Sequence, residues 1–136
     1  MSVAIEQLIP HRAPMRWIDA LTDCTDTTAR ATVCLHDTSF AVADGKVLET
    51  ALVECVAQTV AAALGQRMAA SGKTGADNHG MLAAVSNLKI LSRPSLGKTL
   101  VIEVRELKRL GPMLLITGTI SCEGQLIASG ELSFYA

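Results

Sequence analysis

A chain of 136 residues with a formal charge of -1 suits one domain spanning 1–136, with core enough to fold without metals or disulfides. The balanced charge and a pI near 6.3 exclude a general binder of nucleic acid or anionic membrane. Hydrophobic residues make up 49% but aromatics only 3%, so Trp17, Phe40, Phe134 and Tyr135 are too few to build a stacking platform for single-stranded nucleic acid.

Met1 to Leu8 carries neither a basic cluster nor a long apolar run, so no signal peptide is expected. Cys24, Cys34, Cys55 and Cys122 lack C-x-x-C spacing and read as separate thiols in a reducing compartment; the expectation is a soluble, cytoplasmic protein. Pro10 and Pro14 punctuate the approach to a first strand within Met15 to Cys24, around Trp17 to Leu21. Thr28 to Leu35 alternates, with Ala29, Ala31, Val33 and Leu35 on one face, as a half-buried strand does. Asp44-Gly45 breaks the chain before a long helix predicted from about Leu48 to Ala70. Gly72 to Gly80 reads as a flexible loop.

Four strand-like segments follow, at Met81 to Leu91, Thr99 to Leu110, Met113 to Cys122 and Leu126 to Tyr135. Gly111-Pro112 and Glu123-Gly124 supply tight turns, making the last three an antiparallel meander. One helix with strands on both sides of it in sequence is covered most economically by a single curved antiparallel sheet. The expected class is therefore α+β, a hotdog fold with a long central helix wrapped by the sheet. The open edge of such a sheet invites pairing with a second chain, so an edge-to-edge two-fold dimer is expected, with a tunnel between the protomers.

Within the helix, Ala51 to Leu64 is apolar on nearly every face, as in a helix buried all round. Glu54 and Gln58, four apart, form its one short polar stripe. A carboxyl buried on such a helix costs several kcal/mol unless it is partnered or protonated, which makes Glu54 a candidate catalytic acid. The plain alternative is a structural carboxylate reaching solvent or a dimer partner.

Other motifs fail. Gly72-Lys73-Thr74 and Gly97-Lys98-Thr99 resemble the end of a phosphate loop, but Arg67 and Ser92 stand where its first glycine belongs. His11, His36 and His79 are scattered without metal-ligand spacing, and no G-x-S-x-G marks a nucleophilic serine. His79 is expected to be solvated in its loop.

Pro10-His11-Arg12-Ala13-Pro14-Met15-Arg16-Trp17-Ile18-Asp19, followed by Glu54-Cys55-Val56-Ala57-Gln58, carries a resemblance. A P-H-R-x-P-x-x-x-x-D segment ahead of a central helix bearing E-x-x-A-Q resembles the hotdog 3-hydroxyacyl-(acyl carrier protein) dehydratases. The likeness extends to the small dehydratase-like proteins of aryl-polyene biosynthesis clusters, which share P-H-R-x-P-M. One departure stands out. The housekeeping dehydratases place a histidine in an H-F-P-G-x-P-x-x-P-G segment before the helix, whereas Ser39 to Val47 is shorter and has none, and His36 falls at a strand end.

The resemblance implies dehydration of a 3-hydroxyacyl thioester, carried on the phosphopantetheine arm of an acyl carrier protein, with no metal or redox cofactor. Glu54 would be the acid/base carboxyl and His11 its partner, the base that replaces the missing histidine. Backbone N–H groups of the helix start, Leu48 to Ala51, would meet the enolate-like oxygen, and Gln58 would face substrate. Two alternatives stay open: a hotdog acyl thioesterase in which Glu54 activates water or attacks the thioester, and a silent partner subunit of another hotdog dehydratase. For His11 the structural alternative is a turn residue capping nearby carbonyls.

Overall fold

In the computed structural model, which describes residues 4–12, 15–36, 41–72 and 81–135, the stretch that is apolar on every side becomes the helix α1 (Glu49–Ala70). Its 22 residues, rich in Ala, span about 33 Å at the helical rise. The strands are β1 (Ala20–Cys24), β2 (Thr28–Cys34), the two-residue pair β3 (Val42–Ala43) and β4 (Lys46–Val47), β5 (Met81–Ile90), β6 (Thr99–Leu110), β7 (Met113–Cys122) and β8 (Gln125–Tyr135). Six of them form one antiparallel sheet in the order β1-β2-β6-β7-β8-β5, and β3 pairs with β4 alone. One long helix on a six-stranded antiparallel sheet is the α+β hotdog arrangement that the element order implied, and β6, β7 and β8 are the expected meander.

The helix lies over β1, β2, β6 and β7. Alternation along β7 is strict, with Leu114, Ile116, Gly118 and Ile120 buried on the helix side. A glycine makes room at the centre. A Cβ on Gly118 would come within 2.6 Å of the Val56 side chain, so helix and sheet approach closely there.

The opposite side of α1 is closed by residues 4–12 and 15–18, whose placement corrects one expectation. The first strand begins at Ala20, not near Met15, because 15–18 runs as an irregular strap along the helix. Ile5, Leu8, Ile9, Trp17 and Ile18 of this strap are buried. Burying each of the larger aliphatic side chains contributes up to about 1.5–3 kcal/mol. At Gly65 the strap's backbone touches the helix: a Cβ there would lie 2.1 Å from the Leu8 carbonyl oxygen. Sheet and strap together explain why α1 can be apolar all round.

The β3–β4 hairpin, which alternation cannot reveal in strands of two residues, turns at Asp44-Gly45, both with positive φ. Arg93 ties it to the helix start, donating to Val47 O at 2.8 Å and pairing with Glu49 at 3.2 Å. Gly97-Lys98-Thr99 is a turn, with Gly97 at φ +78° and Lys98 paired to Glu123 at 2.8 Å. The loop expected from 72 to 80, with His79, lies outside the described residues from 73 onward.

At the far edge β5 is exposed from Met81 to Lys89. It is interrupted by a bulge at which Asn87 (φ +51°) and Leu88 stand opposite Gly130, and Asn87 Nδ2 donates to Glu131 at 3.0 Å.

Candidate active site

The strap brings the two motifs together. The turn at 9–12 is closed by Arg12, whose guanidinium donates to the carbonyls of Ile9 and His11 at 2.9 and 2.8 Å. Carbonyl capping in this turn thus falls to Arg12, and the His11 ring is turned toward α1. Arg16 pairs with Glu6 at 2.9 Å and donates to Ile18 O at 2.7 Å, while Asp19 accepts from the Cys34 N–H at 2.8 Å. Arg12, Arg16 and Asp19 of the motif therefore hold the strap in shape.

His11 Nε2 lies 3.4 Å from Glu54 Oε2. Both side chains are about one-third exposed, 33% and 35%. Glu54 is thus half-buried at the lip of the strap, where the apolar pattern of the helix implied full burial. The His11 Nδ1 atom is buried and has no hydrogen-bond partner among the described residues.

Gln58, one turn on, is fully buried. Its Oε1 accepts from the N–H groups of Trp17 at 2.9 Å and Ile18 at 3.3 Å. Its Nε2 donates to Met15 O at 2.8 Å and to Glu54 Oε2 at 3.1 Å. Every hydrogen-bonding position of the amide is spent inside the chain. At about 1 kcal/mol net per bond, its bonds to Met15, Trp17 and Ile18 add about 3 kcal/mol to the anchoring that the buried strap side chains supply.

At the helix start, Leu48 N–H is committed to Ala41 O at 2.8 Å and Ala51 N–H to Leu48 O at 3.1 Å. The Ala51 side chain is buried. Glu49 and Thr50 are the first-turn positions whose N–H groups have no partner in the helix. Thr50, which the sequence did not single out, is exposed and lies one turn before Glu54 on the same face.

Beside Glu54, Cys55 is fully buried, and burial first, then the negative charges of Glu54 and Asp19, push its thiol up to about 12, leaving it inert. His36 is exposed beyond the end of β2. Among the described residues no three His, Cys, Asp or Glu side chains gather in a way that could hold a metal ion. Among the described residues no helix is long and apolar enough to cross a membrane. An apolar groove lined by Leu52, Val53, Val56, Leu88 and the Gly118–Gly130 pair opens toward β5 on the sheet side of α1.

A long helix on this sheet, with a polar pair at the lip of its strap, defines the class as hotdog. The family model of the ApeP-like dehydratases, described as ApeP dehydratase, matches residues 3–136, and the chain belongs to that family. Among solved structures, it resembles the dehydratase heterocomplex ApeI:P from Xenorhabdus doucetiae, with a TM-score of 0.90 at 21% identity over 99% of this chain and 91% of that one. A hypothetical thioesterase with coenzyme A from Streptococcus pneumoniae TIGR4 shares the fold at a TM-score of 0.67 and 11% identity, covering 85% of each chain. Mouse thioesterase superfamily member 2 does so at 0.66 and 15%, over 85% of this chain and 80% of that one. No curated protein matches the chain in sequence.

Proposed function

We propose that this chain is a subunit of a two-chain hotdog dehydratase that converts a 3-hydroxyacyl thioester on acyl carrier protein to the 2-enoyl thioester. The observation that carries the reading is the meeting of His11 and Glu54, from motifs far apart in sequence, at 3.4 Å on an accessible lip. Elimination needs a base for the proton on carbon 2 and an acid for the departing 3-hydroxyl. The electrons of the C2–H bond form the double bond, the C3–O bond breaks and water leaves. Glu54 is the acid/base carboxyl and His11 its partner, with first-turn N–H groups beside Thr50 facing the enolate-like oxygen. This chemistry calls for proton transfer and oxyanion stabilisation alone, so no metal or redox cofactor enters the reading.

The chain acts as one hotdog domain in the cytoplasm, its substrate delivered on a phosphopantetheine arm. The apolar groove and the Glu54 lip lie on different sides of α1, and β5 is an uncovered edge, which together favour a site completed by a second hotdog subunit. That subunit is a second copy or a distinct chain, as in the ApeI:P heterocomplex. The missing histidine before the helix favours one competing reading, a silent partner. Purified protein, alone and mixed with a second hotdog subunit, is incubated with 3-hydroxyacyl and saturated acyl thioesters. Enoyl product that disappears with Glu54→Gln supports dehydration. Free thiol release indicates a thioesterase, and enoyl formation indifferent to Glu54→Gln and His11→Ala indicates a silent partner.

A further inference from the structure

Packing requires two of the glycines beneath α1 but not a third. A Cβ on Gly65 or Gly118 would run into the Leu8 backbone or the Val56 side chain. A Cβ on Gly130 would lie 3.3 Å from Leu88 Cδ1, the free end of a flexible side chain that is itself 44% exposed. The φ of Gly130 lies outside the left-handed region, so alanine fits there at little cost, and glycine inside a strand is itself unfavourable. Gly130 stands opposite Gly118 across β7 and β8. Together they leave a trough in the sheet, walled by Leu52, Val53 and Val56 of α1.

Leu88 fills this trough because of the bulge in β5. Val85, opposite the buried Leu132, faces the helix side, so unbroken alternation would turn Asn87 and Lys89 inward and Leu88 outward. The extra residue reverses that order. Lys89 pairs with Ser129, Ile90 pairs with the buried Ala128, and Leu88 is laid over Gly130. Asn87, at φ +51°, holds the turn by donating to Glu131 at 3.0 Å. With Leu88 in place the trough keeps a free volume of about 10 Å³, room for roughly one water.

We propose that Leu88 and Gly130 are specificity-determining residues: Leu88 is the movable stop and Gly130 the open floor of the trough that takes the end of the acyl tail. The lining is nearly all hydrocarbon, which leaves the amides of a phosphopantetheine arm without partners. Val56 rests directly on the sheet at Gly118, so the space is one alkyl chain wide and too narrow for a partner's helix or strand. The trough opens toward β5, and its tail belongs to a thioester held where the second subunit completes the site. That placement rests on the dehydration reading, whereas binding of an alkyl chain under Leu88 does not.

Two substitutions act on the trough with opposite sign. Leu88→Ala removes three carbons from it, and the preferred tail should lengthen by about two or three carbons. Gly130→Ala fills the floor and should lower kcat/KM for the longer tails by about tenfold or more while sparing the shortest. Both proteins should fold, with Gly130→Ala melting no lower than wild type. The full chain, alone and with a second hotdog subunit, is assayed on 3-hydroxyacyl pantetheine thioesters of about four to twelve carbons. Binding of the matching saturated acyl pantetheines is measured by calorimetry, which needs no turnover. Chain-length profiles that neither substitution moves, in turnover or in binding, overturn the proposal. So does a trough that answers to the partner instead, with either variant changing mass by light scattering and not the profile. Binding profiles that shift in opposite directions in a protein forming no enoyl product uphold the trough and overturn the dehydration reading.

Discussion

Ile116 on β7 and Val85 on β5 stand in one cross-strand row, joined through Leu132 on β8, and point to the same face of the sheet. Ile116 is 4% exposed and Val85 39%. Both strands have ten residues, and both are rich in the side chains that suit a sheet. What separates them is the cover above: α1 lies across β7 and stops short of β5. The other flank of the helix makes the contrast sharper, since there the strap seals α1 with buried aliphatics and a saturated amide. One side of this molecule is finished by its own chain, and the other is left uncovered.

The strongest way to break that contrast is to place a charge at both ends of the row. Ile116→Lys strands an unpaired ammonium under the helix and should prevent folding, seen as loss of the cooperative thermal transition. Val85→Lys should leave the subunit folded, within about 0.5 kcal/mol, and abolish association at the β5 edge, read as a fall in mass by light scattering at micromolar concentration. Equal damage from the two would mean that β5 is as much a part of the subunit's own core as β7.

On the strap side, Glu54→Gln should lower enoyl formation by about 10²–10⁴-fold while moving stability by less than about 1 kcal/mol. The small stability term follows from the 35% exposure of the carboxyl, which removes the large gain that a deeply buried charge would yield on neutralisation. Activity assays and thermal melts on the same preparation check both halves.

Gly65→Ala should cost about 1–3 kcal/mol, because the new methyl must push the Leu8 backbone away and the strap with it. Enoyl formation should fall as His11 retreats from Glu54. A melt unchanged from wild type would show that the strap contributes little to holding α1.

The smallest effect concerns Cys55, whose thiol is held neutral by burial up to about 12 from an ordinary value of 9.0. The unfolded chain releases this proton first, so the folded state binds more protons above about pH 9 and stability declines as pH rises, by up to about 1.4 kcal/mol per unit from this group. Below that pH its contribution is complete. Cys55→Ala should flatten this part of the stability profile, measured by urea unfolding between about pH 8 and 10.5. A slope identical in the variant would assign the decline to other groups.

Much of the fold can be read from the sequence because its signals are local. The helix predicted from Leu48 begins at Glu49, and the strands predicted from Thr99 and Met113 have the bounds expected. Met15 to Asp19 misleads because its apolar residues suit a strand, while the N–H groups of Met15 and Arg16 turn back to Arg12 and those of Trp17 and Ile18 go to the Gln58 side chain, so that pairing with β2 begins only at Asp19. Within the site, the four-residue spacing of Glu54 and Gln58 is visible in the chain. The approach of His11 to Glu54 is not, since it depends on how the strap is laid down. Nor could the spacing reveal that Gln58 points inward, because a glutamine on an apolar helix fits a ligand-facing group and a saturated structural amide equally well.

The bulge at Asn87 bears on how this open edge behaves when many copies of the chain crowd together, as during expression. Pairing of β5 with β8 shifts register between Leu82 and Ala84 and again between Ser86 and Lys89, so no regular run along β5 exceeds three residues. Amyloid-type stacking needs about six or seven consecutive residues in unbroken register. An exposed strand as apolar as β5 would otherwise seed such growth, and its broken register keeps the edge accessible to a shaped partner while denying a flat template to fibrils.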